Sequence, residues 1–189
     1  MNFPLLSFVK ETTWDEIIQT WKQDEIDQVF WQKIYKQYSS WEKWREHCLQ
    51  EFNLPKNGWR VYRIDDPELF ATKAYCGPFN TWFKHYAKDD FPTKEERDLS
   101  SFGYIVPRSV LSRNPKIASI MENFPDCSQV LGVTDGEKFM LYEGHHRMCA
   151  LTLAKEQGIK ISTELYIAVH QFSTVDFYKH FYPQRTCNE

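Results

Sequence analysis

No stretch of this sequence approaches the ~20 consecutive apolar residues that a membrane-spanning helix requires. None of its five cysteines, Cys48, Cys76, Cys127, Cys149 and Cys187, stands in a CxxC pair. Their odd number and wide spacing argue against a disulfide framework or a zinc knuckle and for free thiols in a reducing cytosol. A surplus of positive charge is also missing. The formal net charge is -3 and the pI near 6.1, whereas a nucleic-acid footprint in bulk charge is basic. There is no repeat of fixed period and no low-complexity tract. The opening "MNFPLLSFVKETTW" is too short and too soon acidic for a secretory signal. These absences predict a soluble, cytoplasmic protein with no membrane segment.

What the sequence does have is aromatic side chains, at 16% of 189 residues. Hydrophobic residues reach 42%, enough for a real core. The length suits one domain with an elaboration, or a small domain plus a helical extension. Trp14, Trp21, Trp31, Trp41 and Trp44 crowd the first quarter of the chain. They read either as the packed core of a helical subdomain or as an aromatic-lined pocket or partner surface.

Periodicity divides the chain into 1–55, 56–100 and 101–189. In the first part, Thr13 and Glu16 have capping-box spacing, and Trp14, Ile17, Ile18 and Trp21 follow helical periodicity. Ile26, Val29, Phe30, Ile34 and Tyr38 give a second helix. Ser39 and Glu42 open a third, carrying Trp41, Trp44, Cys48 and Phe52. In the second part, "WRVYRIDD" predicts a strand, Asp66-Pro67 a helix start, "TWFKHYAK" a further helix and "DDFPTKEERDLSS" a loop. In the third, "GYIVPRSVL" predicts an extended segment that turns at Pro107. "NPKIASIMENFP" is a short helix, with Ile117, Ile120, Met121 and Phe124 inward. "SQVLGVTDGEKFMLYEG" is a hairpin whose Asp135-Gly136 pair supplies positive φ. "HHRMCALTLAKEQG" is a helix closed by Gly158. "KISTELYIAVHQF" is a strand, and Ser173 with Asp176 caps a last helix.

The stretch "YEGHHRM" places Glu143, Gly144, His145, His146 and Arg147 where a strand runs into a helix. Free N–H groups and the helix dipole make such an end an anion site. Arg147 in the first turn opposes that dipole unless an anion lies between them. Gly144 would let a ligand approach the backbone, and His145 and His146 could donate to phosphate oxygens. The alternative is that these residues are simply solvated, or that Arg147 pairs with Glu143. A histidine metal site is the weaker reading, since adjacent His145 and His146 point apart and His47, His85, His170 and His180 complete no ligand set.

The run from Ile105 to Val169, with EGHHR at its centre, resembles the ParB/sulfiredoxin superfamily over roughly residues 102–172. Members share a proline-bearing entry segment, a helix, a strand, and a glycine-centred motif ending in arginine that opens a helix. The resemblance implies an α+β fold: a small mixed sheet with flanking helices over 101–189, preceded here by the aromatic-rich helical extension. It implies that Gly144, His146 and Arg147 bind nucleotide phosphates, and that Arg108, Ser109 and Arg113 line the nucleotide. Glu143 stands where kinase-like members have an acid that holds a metal or polarises a substrate. His145 stands where sulfiredoxins have their nucleophilic cysteine, which argues against sulfinic-acid reduction, and Cys149 lies a turn further on. The expected activity is phosphotransfer to a small molecule from a nucleoside di- or triphosphate, ATP or ADP, with Mg²⁺, using Glu143, His145, His146 and Arg147. The competing readings are a ParB-like nucleotide-switched DNA-binding or nuclease-type module, and a repurposed site for another anionic ligand.

Overall fold

A computed structural model describes residues 5–27, 29–77 and 101–181. The helix expected at 81–88 and nearly all of the loop expected at 89–101 lie outside the described residues. So does Cys187.

The strand expected at "WRVYRIDD" forms as β2 (Trp59–Ile64). It is buried on both faces. Trp59 and Val61 point to one core, Tyr62 and Ile64 to the other. On one side it pairs antiparallel with β1 (Leu6–Thr12), on the other with β5 (Glu164–Gln171). β5 runs parallel to β3 (Cys127–Thr134), and β3 antiparallel to β4 (Phe139–Glu143). The result is one mixed five-stranded sheet in the order β1-β2-β5-β3-β4, an α+β architecture. The stretch 1–55 therefore contributes a strand as well as helices. The hairpin turn takes its positive φ from Gly136 alone. Asp135 acts instead through its side chain, which accepts from the N–H groups of Glu137 and Lys138 at 2.9 and 2.8 Å, an Asx-type turn.

Helices cover both faces. One layer holds α1 (Trp14–Glu25), α2 (Val29–Tyr35), α3 (Trp41–Leu49) and, from the other end of the chain, α8 (Thr174–Phe181). Trp14, Ile17, Trp21, Trp41, Trp44 and Phe177 pack there against Val61, Val133 and Ala168 of the sheet. Trp14, Trp21, Trp41 and Trp44 are thus core, and Trp31 packs against them partly buried. Their helices start where the side chains can cap them: Thr13 Oγ1 accepts from Glu16 N–H, and Ser40 Oγ from Lys43 N–H. The third helix begins one residue later than the Ser39–Glu42 spacing predicts, because Ser39 takes a left-handed φ of 70° and hands the cap to Ser40. Cys48, expected inward, is exposed, and Leu49 is buried in its place.

The opposite layer holds α4 (Pro67–Lys73), α5 (Phe102–Arg108), α6 (Pro115–Glu122) and α7 (His145–Glu156). Asp66 caps α4 by accepting from Leu69 N–H at 2.9 Å. The segment "GYIVPRSVL" is helical, not extended. Phe102, Ile105 and Val106 are fully buried at helical spacing, and Pro107, which brings no N–H to the helical ladder, sits in the last turn of α5, which ends one residue later at Arg108. A short 3₁₀ turn, Val110–Arg113, follows. Helix α7 lies in the middle of this layer, with Met148, Cys149, Ala150, Leu151 and Ala154 all at 0% exposure. It ends as expected at Gly158, φ 68°, with Ile159 N–H reaching back to Ala154 O. Each large apolar side chain buried this completely contributes roughly 1.5–3 kcal/mol.

Candidate functional site

Strand β4 ends at Glu143 and helix α7 begins at His145, so Gly144 alone makes the turn. Its φ is 98°. A Cβ there would stand 2.4 Å from Val130 Cγ1 on β3. Glycine is therefore required both by the left-handed backbone and by close packing on β3. As N-cap, Gly144 brings no side chain to the first turn of α7, whose N–H groups and dipole give that end its positive character.

Register sets what surrounds the turn. Glu143 pairs with Leu131, and the first residues of β3, from Cys127 to Val130, run on past the end of β4. Arg147 folds back across this notch. Its Nη1 donates to Ser128 Oγ, and its Nη2 lies 2.6 and 2.5 Å from the two oxygens of Glu143. The side chains of Arg147 and Glu143 are 16% and 18% exposed. The opposition between Arg147 and the dipole is thus answered inside the chain, by Glu143 four residues earlier. Burial raises the Glu143 carboxyl above the usual carboxylate range. Arg147 acts against that shift, as does the more distant Arg45, while Glu25 adds to it.

Burial keeps both histidines neutral at pH 7. His145 Nε2 is 2.5 Å from the carbonyl of Cys76. A carbonyl only accepts, so Nε2 carries the proton. The ring also meets Phe102 edge-on at 5.9 Å, and burial holds its pKa down to about 4. His145 thus fastens α7 to the segment after α4, which is a packing role. Burial pushes His146 down to about 3, helped by the charges of Lys116, His145 and Arg147.

The other expected contacts are placed as follows. Arg108 is exposed and donates from Nη1 to Tyr104 O at 3.0 Å, with its guanidinium 4.6 Å from the Tyr104 ring. Ser109 is buried and caps the 3₁₀ turn by accepting from Leu111 N–H. Arg113 is exposed at the end of that turn. Two residues at the junction, Ser128 and Lys116, carry no motif signal. Lys116 lies in the first turn of α6, and its Nζ is 5.2 Å from the ring of Trp31 on α2. The two helical layers meet there.

The motif itself offers a divalent cation one carboxylate, Glu143, while Asp24 and Glu25 act on Arg147 and Glu143 only through space. Among the described residues no group of three His, Cys, Asp or Glu side chains is arranged to hold a metal. A single carboxylate fits Mg²⁺ brought in on a phosphate, since that ion keeps most of its waters and phosphate ligands. It does not fit an all-protein cage. A cleft of about 410 Å³ lies elsewhere, between α1 and α3, lined by Trp14, Ile18, Arg45, Leu49, Leu54 and Lys56 among others. No residue of 143–147 reaches it.

No protein-family model matches the chain, and neither a curated protein nor a solved structure matches it. None of the three comparisons carries the resemblance to the ParB/sulfiredoxin superfamily, and its entry segment is helical here. Among the described residues no helix is long and apolar enough to cross a membrane.

Proposed function

We propose that the junction Glu143–Arg147 binds the phosphate of a small molecule, and that the chain is a nucleotide-dependent phosphotransferase built on a ParB/sulfiredoxin-like core. The observation that carries the reading is the passage of β4 through Gly144, at φ 98°, into a helix that starts without a side-chain cap. Arg147 in the first turn and Lys116 on the neighbouring helix supply cationic charge. His146, neutral at pH 7, supplies an imidazole. Phosphoryl transfer suits such a place, because it asks for positioning and charge neutralisation more than for a nucleophile. Glu143 would hold Mg²⁺ arriving with the nucleotide, and the metal would neutralise charge on the phosphate oxygens. The small acceptor is the partner; a net charge of -3 is poorly suited to nucleic acid. The four described cysteines are free thiols, which fits a reducing cytoplasm.

The test is a thermal-shift series with ATP and ADP, each with and without Mg²⁺. A nucleotide at one hundred times its Kd stabilises the fold by about 2.7 kcal/mol. A rise of several degrees in Tm supports the reading. No rise with any nucleotide at millimolar concentration overturns it.

A further inference from the structure

The cleft between α1 and α3 has about 410 Å³ of room, within the roughly 300–1,000 Å³ of small-molecule pockets. Its loop wall is pinned. Asn53, at φ 43°, turns the chain back after the 3₁₀ turn Gln50–Phe52. Lys56 O then accepts from Trp14 N–H at 3.3 Å, and Pro55 O from Trp59 Nε1 at 2.8 Å. Trp14 and Leu49, both buried, and the half-buried Ile18 and Leu54 give the cleft an apolar lining. Charge decides what else it takes. Of the three acids at its rim, Glu42 is paired with Lys22 at 2.5 Å and Glu46 with Lys43 at 3.1 Å. The third, Asp15, is exposed, where water and salt screen it. The cations are placed differently. Lys56 Nζ lies 5.6 Å from the Trp14 ring centroid and makes no ion pair among the described residues. The Arg45 side chain, also in the lining, is only 13% exposed. Its Nε and Nη2 donate to the Glu25 carboxylate. Its Nη1 meets no acceptor among the described residues and is not sealed from solvent.

We propose that this cleft is a second binding site, and that it takes a small organic carboxylate with an apolar body. The carboxylate accepts from Arg45 Nη1 and meets the Lys56 ammonium, while the apolar body lies on Trp14, Leu49 and Leu54. Glu25 keeps the other two nitrogens of Arg45, so no internal ion pair is broken and no buried charge is stranded. The charge of the ligand is answered by Lys56, the lining cation that has no ion pair of its own. A cationic ligand would find Asp15 only at the exposed rim, and a guanidinium below it. A charge-assisted bond to a partly buried guanidinium is the stronger contact of the two. Because residues 143–147 do not line the cleft, this site is independent of the junction.

The experiment is titration calorimetry of the full chain at constant pH and ionic strength with four probes: 3-phenylpropionate, 3-phenylpropan-1-ol, 3-phenylpropan-1-amine and propionate. In the unaltered protein 3-phenylpropionate binds about tenfold tighter or more than each of the other three, the scale of one well-placed charge contact or of a buried ring. Lys56→Glu, at an exposed position, reverses the outer charge without touching the core. It weakens 3-phenylpropionate about tenfold, leaves the alcohol unchanged, and keeps the Tm of the unaltered protein. Arg45 itself is a poor variant, because its loss strands Glu25, so the ranking of the four probes is decisive alone. An amine or alcohol that binds as tightly as the acid overturns the proposal. So does propionate binding as tightly as 3-phenylpropionate, which would leave the apolar lining without a part. No binding of 3-phenylpropionate at millimolar concentration, or an affinity that Lys56→Glu leaves unchanged, also overturns it. None of these results bears on the junction at Glu143–Arg147.

Discussion

Arg147 Nη2 sits 2.6 and 2.5 Å from the two carboxylate oxygens of Glu143, across the glycine that joins β4 to α7. The residue placed to bind an outside anion thus has an inside one. Arg147→Ala strands the Glu143 carboxylate and, with the pair slightly exposed, destabilises by about 2–4 kcal/mol. The paired variant Glu143→Gln/Arg147→Met, neutral and similar in shape, recovers most of that loss. Urea midpoints of the two variants measure the difference. If Arg147→Ala melts like the unaltered protein, the pair contributes nothing to the fold.

Gly144 answers to two independent constraints. Gly144→Ala adds a Cβ 2.4 Å from Val130 Cγ1 at a φ of 98°, and destabilises by roughly 2–5 kcal/mol through backbone strain and overpacking. Val130→Ala removes the clash but not the strain. In that background the cost of Gly144→Ala falls without vanishing, and chemical denaturation of the four proteins gives the coupling.

The neutral histidines make stability depend on pH. His145 has a folded pKa of about 4 against 6.5 when unfolded. Between those values the unfolded chain binds more protons than the native one. The stabilisation is therefore complete above pH 6.5 and is lost as pH falls toward 4. His146, with a folded value of about 3, adds in the same sense. Tm falls between pH 7 and pH 5, and falls less in His145→Gln, which gives up the titrating ring. Equal falls in both proteins would contradict the buried, neutral His145.

In the tryptophan layer, Arg45 is packed between Trp21 and Trp44, 4.1 and 3.9 Å from their ring centroids, and paired with Glu25. Glu25 Oε2 also accepts from Trp41 Nε1 at 2.9 Å. Arg45→Ala leaves that buried acid unpaired and destabilises by about 3–5 kcal/mol. Near-ultraviolet circular dichroism of the tryptophans reports the loss of packing. An unchanged spectrum and Tm would contradict it.

Local signals in the sequence were enough for the elements that make their own boundaries. Thr13, Asp66, Ser173 and Gly158 each act within four residues of their position, and the β3–β4 hairpin closes on its own turn. Strand β1 was missed because only Leu6 of it is buried. It is an edge strand with Phe8 and Val9 exposed, so no alternation marks it, and its pairing with β2 is a long-range event. Helix α5 was read as extended because Pro107 outweighed the spacing of Phe102, Ile105 and Val106. At the candidate site the turn, the glycine and the choice of Glu143 as a partner for Arg147 could all be read from EGHHR. Ser128 and Lys116 could not. They reach the junction through strand register and helix packing, which no short motif encodes.

The central claim is that the junction binds a phosphate-bearing ligand through Arg147. Its most direct test is the Tm shift produced by ADP with Mg²⁺ in Glu143→Gln/Arg147→Met beside the unaltered protein, because the paired variant removes the guanidinium without stranding a charge. The account predicts that the unaltered protein gains several degrees, about 2.7 kcal/mol at one hundred times Kd, while the folded paired variant gains none. A paired variant that keeps the full shift would place the ligand elsewhere and contradict the claim.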